Sequence, residues 1–266
     1  MGDCLEVRRE RGVATVAMHR KGNNSFAQDL SDELKEAFDE LGADPAVRVV
    51  VLASDYERYF SVGADLTAMG GVDRDASDAE DRITEFVKQM WAGFDAVERC
   101  PKPVIAAING HALGAGCEIA LCCDFRVMVE DGRSRIGLPE ATLGILPGAG
   151  GTQRLARLVG KARALPMMML GRRLSAQEAF EVGLVDRAAS PEAFPGAVEE
   201  LAATLARSAT HALGLIKSVV REGQDRPLAE GLELEARAFA RASLSEDAVI
   251  GIVSFLSKQE PEFKGR

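Results

Sequence analysis

Two glutamates stand in apolar, glycine-rich stretches of this 266-residue chain. Glu118 lies in a run of helical character between Cys117 and Ile119, and Glu140 opens a second glycine-punctuated loop. Carboxyl groups in apolar surroundings have raised pKa values, which suits them to general acid or general base catalysis. On residue type alone, a hydrogen-bonded structural role is the alternative for each of them.

Three glycine-rich segments accompany these carboxylates, at residues 60–66, 109–118 and 147–153. The dinucleotide-binding pattern G-x-G-x-x-[GA] does not fit, because its sixth position is Ile119 when counted from Gly114 and Gln153 when counted from Gly148. The single Gly-Lys pair of the chain is not followed by Ser or Thr, so a phosphate-binding loop is excluded as well. No G-x-S-x-G sequence marks a serine nucleophile.

Glycines at such positions remove side chains and let backbone N–H groups approach a ligand atom closely. Two such donors would form an oxyanion hole, and Gly63 and Gly114 mark the candidate turns. The second turn follows an apolar run at Val104–Ile108, so the N–H of Ala115 would begin a helix, where the helix dipole favours negative charge. For any one of these segments considered alone, the alternative is that its glycines only allow a tightly packed turn and have no catalytic role.

Composition and charge narrow the classes of function. Lys plus Arg number 32 against 41 Asp plus Glu, and the formal net charge of −9 argues against a nucleic-acid partner. The five cysteines favour reduced, buried thiols, and the three scattered histidines complete no metal site. The N-terminus carries no export or transit signal, and polar and charged residues interrupt the longest apolar stretch. We therefore expect a cytoplasmic protein that binds neither a metal nor a membrane.

The elements that must position these residues alternate in type through the first half of the chain. Runs of β-branched residues predict strands at Val13–Met18, 47–53 and Val104–Ile108. Apolar residues at helical spacing predict helices around 30–41 and 83–97. The strand runs are almost continuously apolar, which indicates a sheet covered by helices on both faces.

Two further segments are predicted from composition and turn chemistry. Residues 67–82 are acidic and almost free of apolar anchors, which predicts a mobile, solvated loop. The pair Asp131-Gly132 separates apolar runs at 125–129 and 136–138, and this pattern is typical of a hairpin turn.

The pattern becomes helical beyond Leu146 and stays so to the C-terminus. Ser175 and Glu178 have the spacing of a capping box at a helix start. The chain is therefore divided into an α/β core at 1–190 and a C-terminal helical region at 191–266.

Several longer motifs resemble those of the crotonase (enoyl-CoA hydratase/isomerase) family, and together they cover nearly the whole chain. They are FSVGADL at 60–66, IAAINGHALGAGCEIALCCDFRV at 105–127, GLPEATLGILPGAGGTQRLARLVG at 137–160, GRRLSAQEAFEVGLVDR at 171–187 and SFLSKQEPEFKGR at 254–266. The resemblance implies an α/β fold built as a spiral of β-β-α units, with a C-terminal helical region that forms trimers. It also implies a homotrimer or a homohexamer, a dimer of trimers, that acts on acyl-CoA thioesters without an added cofactor.

The resemblance also assigns roles within the site. The catalytic carboxylates of the hydratase branch fall on Glu118 and Glu140, and the oxyanion-hole N–H groups fall on Ala64 and Ala115. The implied substrate contacts are Gly63, Asp65, Leu66, Gly114 and Gly148. Glu118 would deprotonate a water that adds to C3 of a 2-enoyl-CoA, and Glu140 would protonate C2. A second arrangement, in which one carboxylate performs both proton transfers and the other positions the water, stays open.

The sequence departs from the common family pattern at two positions near the site. Ala115 stands where many relatives have Gly, which leaves the backbone donor in place. Leu138 stands where many hydratases have Gln, which bears on substrate choice more than on reaction type.

Enoyl-CoA hydratase, acting by syn addition of water to give a 3-hydroxyacyl-CoA, is the activity that the motifs favour. An enoyl-CoA isomerase of the same family is the alternative, because it needs a carboxylate only at the Glu140 position. A non-catalytic, RNA-binding relative is a third possibility, which the acidic net charge disfavours.

Overall fold

The computed structural model of the protein describes residues 2–65, 67 and 75–266. The strands are β1 (Leu5–Glu10), β2 (Val13–Met18), β3 (Val49–Ser54), β4 (Tyr59–Ser61), β5 (Val104–Ile108), β6 (His111–Leu113), β7 (Phe125–Val129), β8 (Ile136–Gly137), β9 (Arg173–Leu174) and β10 (Arg187–Ala189). The α-helices are α1 (Gln28–Ala43), α2 (Ala79–Arg99), α3 (Ala115–Cys122), α4 (Gly151–Val159), α5 (Lys161–Met169), α6 (Ala176–Glu181), α7 (Phe194–Arg207), α8 (Thr210–Gly223), α9 (Leu228–Ser243) and α10 (Glu246–Ser257).

Six strands form the main sheet, in the order β1-β2-β3-β5-β7-β10. Strand β1 pairs antiparallel with β2, and the other neighbours pair in parallel. The predicted strands Val13–Met18 and Val104–Ile108 are confirmed with these bounds, and the run at 47–53 is confirmed as β3. Strand β1 has no counterpart in the sequence-based prediction, because its LEVRRE sequence has the charged residues of an edge strand.

The pleat of the main sheet sends alternate residues to two separate cores. Val50 and Leu52 of β3 join the larger core, together with α1, α2 and α3. Val49 and Val51 of the same strand join a smaller core on the opposite face, which α7 covers. The prediction of a sheet covered by helices on both faces is confirmed, and the period of two explains why each strand run is apolar throughout.

The second sheet positions the glycine-rich turns. Its order is β4-β6-β8-β9, and β4, β6 and β8 run parallel to one another. Carboxyl ends of parallel neighbours meet at the same edge of a sheet, so the segments that follow these strands lie side by side. Those segments carry Gly63 after β4, Gly114 after β6 and Glu140 after β8.

The structure corrects three predictions made from the sequence. The runs at 125–129 and 136–138 do not form a hairpin, because β7 belongs to the main sheet and β8 to the second one. The chain beyond Leu146 is not wholly helical, since β9 and β10 add a strand to each sheet. The predicted loop at 67–82 includes the first turn of α2, which begins at Ala79. The rest of that loop lies partly outside the described residues.

Beyond residue 191, the described elements are all helices. Helix α7 packs on the main sheet, and α8 packs against α9. Helices α9 and α10 leave large apolar side chains exposed, among them Phe239, Phe255 and Leu256. In the part of the chain that the structure describes, no helix is both long enough and apolar enough to cross a membrane. The functional division at residue 190 stays a prediction.

Candidate active site

A cavity of about 680 Å³ lies between α2 and residues 147–153, which comprise a loop and the start of α4. Apolar side chains form most of its wall, including Ile83, Val87, Leu143, Leu146 and Trp91. Glu118 and Glu140 are the two acidic residues among the described residues of the lining. Gly63, Ala64, Gly114 and Ala115 complete the wall at the edge of the second sheet. The cavity therefore has a mostly apolar wall that also contains two carboxyl groups and two glycine turns.

The turns after β4 and β6 meet at two glycines. Gly63 has φ +109° and Gly114 has φ +54°, backbone conformations that side-chain-bearing residues rarely adopt. A Cβ atom on Gly114 would lie 3.4 Å from the Cα atom of Gly63 and 2.9 Å from Oε1 of Glu140. Glycine at both positions thus allows the two turns and the Glu140 carboxyl group to share one small space.

Two residues that line the cavity beside this space have backbone N–H groups without an acceptor among the described residues. Phe26 receives a hydrogen bond from the N–H of Asp65 and donates its own N–H to the carbonyl of Gly63, at 2.7 and 2.8 Å. Ala64 lies between Gly63 and Asp65 in the chain. Within the described residues, its N–H donates no hydrogen bond, and neither does the N–H of Ala115. Ala115 is the first residue of α3, so the helix dipole adds to the positive potential at its N–H. The pair has the chemistry of an oxyanion hole.

Glu118 lies on α3 and is 2% exposed. Its Oε1 atom accepts hydrogen bonds from the N–H groups of Ala149 and Gly151, at 2.8 and 2.7 Å. Burial raises the pKa of this carboxyl group to about 7, with a further increase from the charge of Glu140. The two N–H donors and the Arg154 cation oppose the increase. Both protonation states are therefore accessible near neutral pH, as a general base requires.

Glu140 begins a short 3-10 helix, Glu140–Leu143, and is 9% exposed. Its Oε2 atom is buried and has no hydrogen-bond partner among the described residues. Burial raises the pKa of this carboxyl group above its usual range. An unpartnered, buried carboxylate oxygen is costly, whereas the protonated form has a hydroxyl group to donate. Burial thus raises the pKa of both carboxyl groups, while two N–H donors and Arg154 stabilise the ionised form of Glu118.

The sequence model of the family described as enoyl-CoA hydratase/isomerase matches residues 8–266. The chain belongs to this family. It is 39% identical to the 2,3-dehydroadipyl-CoA hydratase of Escherichia coli K12, over 98% of this chain and 99% of that protein. It is 35% identical to the crotonyl-CoA hydratase of Syntrophomonas wolfei, over 96% of this chain and 95% of that protein.

The fold is shared as well. A crystal structure of an enoyl-CoA hydratase from Geobacillus kaustophilus HTA426 superposes with a TM-score of 0.93 at 37% identity, covering 100% of this chain and 98% of that one. The crotonase fold, with two mixed sheets and C-terminal helices, is thereby confirmed. Similar members of the family are named as hydratases or dehydratases of different CoA thioesters.

The remaining residues that the family resemblance assigned to the site lie in different places. Gly148 lines the cavity, and its carbonyl accepts a hydrogen bond from Nε1 of Trp91 at 2.8 Å. Asp65 does not line the cavity; its carboxylate accepts hydrogen bonds from Thr67, Lys21 and Arg20. The Thr67 hydroxyl contributes most to lowering the pKa of Asp65 to about 2. Leu66 lies outside the described residues.

Two residues of the site escaped sequence-based prediction. Trp91 is the only tryptophan of the chain and lies on α2, where nothing in the sequence marks it apart from other apolar helix residues. Arg154 lies on α4, and its residue type does not distinguish it from Arg157 one turn later. The structure also places no group of three or more His, Cys, Asp or Glu residues at metal-binding geometry within its described ranges.

Proposed function

We propose that the protein catalyses the addition of water to the C2–C3 double bond of a 2-enoyl-CoA, which gives a 3-hydroxyacyl-CoA. One observation carries the proposal: two buried carboxyl groups and two unpaired backbone N–H groups line the same apolar cavity. A thioester carbonyl bound to the N–H groups of Ala64 and Ala115 would withdraw electrons from the double bond. The enolate oxygen that forms during the reaction would receive the same two hydrogen bonds. Losing one such donor typically costs about 2.7–4 kcal/mol of transition-state stabilisation.

The two carboxyl groups would divide the proton transfers. Ionised Glu118 takes a proton from water while the water oxygen forms a bond to C3, and the electrons of the double bond move to the thioester oxygen. Neutral Glu140 then gives its proton to C2 as the carbonyl group re-forms. The pair ends with the proton on Glu118, and exchange with solvent restores the starting state. This assignment follows from the two N–H donors at Glu118 and the unpartnered oxygen of Glu140.

The family relatives support the same reaction. The similar proteins from E. coli and S. wolfei are named as hydratases of 2,3-dehydroadipyl-CoA and crotonyl-CoA. Both names describe water addition to an enoyl thioester, while the acyl groups differ in length and in polarity. We therefore propose water addition as the reaction and enoyl-CoA thioesters as the class of substrate. Water addition changes no oxidation state overall, so the proposed chemistry requires no redox cofactor.

Substitution of each glutamate tests the proposal. We expect wild-type protein to remove the ultraviolet absorbance of conjugated 2-enoyl-CoA thioesters in a chain-length series from four carbons upward. Glu118→Gln and Glu140→Gln should each lower kcat by about 10²–10⁴-fold, because Gln retains the shape and removes proton transfer. Glu199→Gln, an exposed substitution on α7, is the matched control and should leave kcat unchanged.

The same variants separate hydration from isomerisation. An isomerase would convert a 3-enoyl-CoA to a 2-enoyl-CoA with Glu140 alone, so Glu118→Gln would retain most of that conversion. A hydratase would lose its reaction in both single variants. Near wild-type hydration by correctly folded Glu118→Gln protein would contradict the two-carboxylate assignment.

We also propose that the region at 191–266 forms a trimer or a hexamer. Phe239 on α9 is 73% exposed, and Phe255 and Leu256 on α10 are 83% and 75% exposed. An apolar surface of this kind is typical of a subunit interface. We place the proposed reaction in the cytoplasm, because the five cysteines are all unpaired and buried.

A further inference from the structure

Arg154 joins the helix that follows the cavity loop to helix α2. Its Nε and Nη2 atoms donate to the two carboxylate oxygens of Glu98, at 3.0 and 2.6 Å. Its Nη1 atom donates to the carbonyl oxygen of Ala149 at 2.8 Å. The Arg154 side chain is only 19% exposed, so the ion pair is largely protected from solvent. The guanidinium group is therefore fixed at three points.

The contact of Arg154 with Ala149 lies next to Glu118. Ala149 donates its own N–H to Oε1 of Glu118, and Gly151 donates to the same atom. Arg154 thus holds the carbonyl of a residue whose amide nitrogen binds the proposed general base. Nε1 of Trp91 binds the carbonyl of Gly148 on the other side of Ala149.

The Arg154 guanidinium group occupies the space beside Gly150 where a side chain would lie. Gly150 has φ +97°, and a Cβ atom on it would lie 2.0 Å from Nη1 of Arg154. A side chain at this position would push the guanidinium group away from the Ala149 carbonyl. Glycine at residue 150 and arginine at residue 154 are therefore matched to each other, four residues apart at the start of α4.

We propose that Arg154 is a positioning residue for Glu118, which it serves by holding the backbone at 149–151 so that two N–H groups meet one carboxylate oxygen. Without Arg154, the Ala149 carbonyl loses its partner and the two N–H groups lose their fixed direction. Glu118 then has fewer hydrogen bonds to its ionised form and loses the Arg154 cation that lowers its pKa. The kinetic part of this inference rests on the proposed hydratase function, and the geometric part does not.

The charges around Glu118 give the expected direction of a pH effect. The charged and titratable groups that face it are Glu140 on the 3-10 helix, Arg154 on α4, Glu98 and Asp95 on α2 beyond Arg154, and Cys117 and Cys122 on α3. Arg154 is the cation among them that lowers the pKa of Glu118. Its removal should raise that pKa, and the acid limb of the kcat profile should move to higher pH because ionised Glu118 is the active form.

Arg154→Met tests the inference, with Arg157→Met as its control. Arg157 lies on the same helix and forms an exposed ion pair with Asp225. We expect Arg154→Met to lower kcat by about 10- to 100-fold, as misplacement of a catalytic group by about 1 Å does, and to leave KM within about threefold. Its acid limb should move to higher pH, whereas Arg157→Met should match the wild type in both respects.

A second measurement requires no turnover. Trp91 is the only tryptophan of the chain and is hydrogen-bonded to the loop that binds Glu118, so its fluorescence should change as Glu118 titrates. We expect a midpoint near pH 7 in the wild type, none in Glu118→Gln, and a higher midpoint in Arg154→Met. The two proposals can fail separately. If the wild type hydrates no enoyl-CoA but the midpoint is higher in Arg154→Met, the proposed function is rejected and the positioning role of Arg154 is kept.

Arg154→Lys keeps the test decisive if the methionine variant does not fold. Lysine retains the positive charge but lacks the planar fork that binds both oxygens of Glu98 and the carbonyl of Ala149, so kcat should fall while the pH profile stays close to that of the wild type. Folded Arg154→Met protein with wild-type kcat and an unchanged Trp91 midpoint would overturn the inference. Wild-type kcat in folded Arg154→Lys would overturn it as well, because the proposed role depends on the planar, forked donor.

Discussion

Glu118 should make the folded protein less stable as the pH rises. Its pKa is about 7 in the folded state, against 4.5 for a glutamate in water, because burial opposes ionisation. A carboxyl group whose folded-state pKa is raised contributes stability that is fully present below the unfolded-state pKa. That stability is lost as the pH rises through the folded-state pKa. At about 1.4 kcal/mol for each tenfold change in the protonation equilibrium, the loss across pH 4.5–7 is about 3 kcal/mol.

Glu118→Gln removes this loss and keeps the packing. The amide oxygen of Gln can accept the same hydrogen bonds from Ala149 and Gly151, and it cannot ionise. The free energy of unfolding of the variant, relative to the wild type, should therefore increase by about 2–3 kcal/mol between pH 5 and pH 8. At pH 8 the variant should be both the more stable protein and the less active enzyme. This combination is expected where a strained group is retained for its chemistry.

Urea unfolding at one protein concentration, at pH 5 and at pH 8, measures this difference. The fixed concentration matters because subunit association contributes to the measured stability. Glu199→Gln serves as the exposed control and should follow the wild type at both pH values. A constant difference between wild type and Glu118→Gln across this range would refute the reasoning, since it would mean that Glu118 titrates alike in the folded and unfolded chains.

Two other substitutions test the glycine turn and the C-terminal helices. Gly114→Ala places a methyl group about 2.9 Å from Oε1 of Glu140 on a backbone with φ +54°, so it should cost about 1–3 kcal/mol in urea unfolding and lower kcat by at least about tenfold. Wild-type kcat in Gly114→Ala would show that the contact between Gly114 and Glu140 is unimportant. Leu256→Asp on α10 puts a charge on a side chain that is 75% exposed in the single chain, and light scattering should show a shift from the assembled form toward the 28.4 kDa monomer. An unchanged mass would place the interface elsewhere.

The sequence predicted best where local pattern and tertiary environment agree. Strand β5 was located from its uninterrupted apolar run, and the start of α3 at Ala115 from the glycine turn that precedes it. The capping box of Ser175 and Glu178 is confirmed, because its two hydrogen bonds are made within four residues. In each case the residues that decide the structure are neighbours in the chain.

Prediction failed where the deciding partner is distant in the chain. The Asp131-Gly132 turn has hairpin chemistry, yet β7 and β8 pair with strands of different sheets, and no local pattern encodes that choice. Strand β9 is two residues long and exists because β8 offers it an edge. The acidic first turn of α2 looks like loop sequence, but acidic residues also suit a helix N-terminus.

The candidate site divides in the same way. The sequence by itself determined which residue types are present: two glutamates in apolar stretches, and glycines where the backbone must turn with positive φ. Only the tertiary structure decided that the turns after β4, β6 and β8 share one sheet edge, and that Glu118 meets the N–H groups of a loop more than 30 residues away. The physical reason is that a pKa and a hydrogen bond depend on the surroundings in space, whereas a motif records only neighbours along the chain.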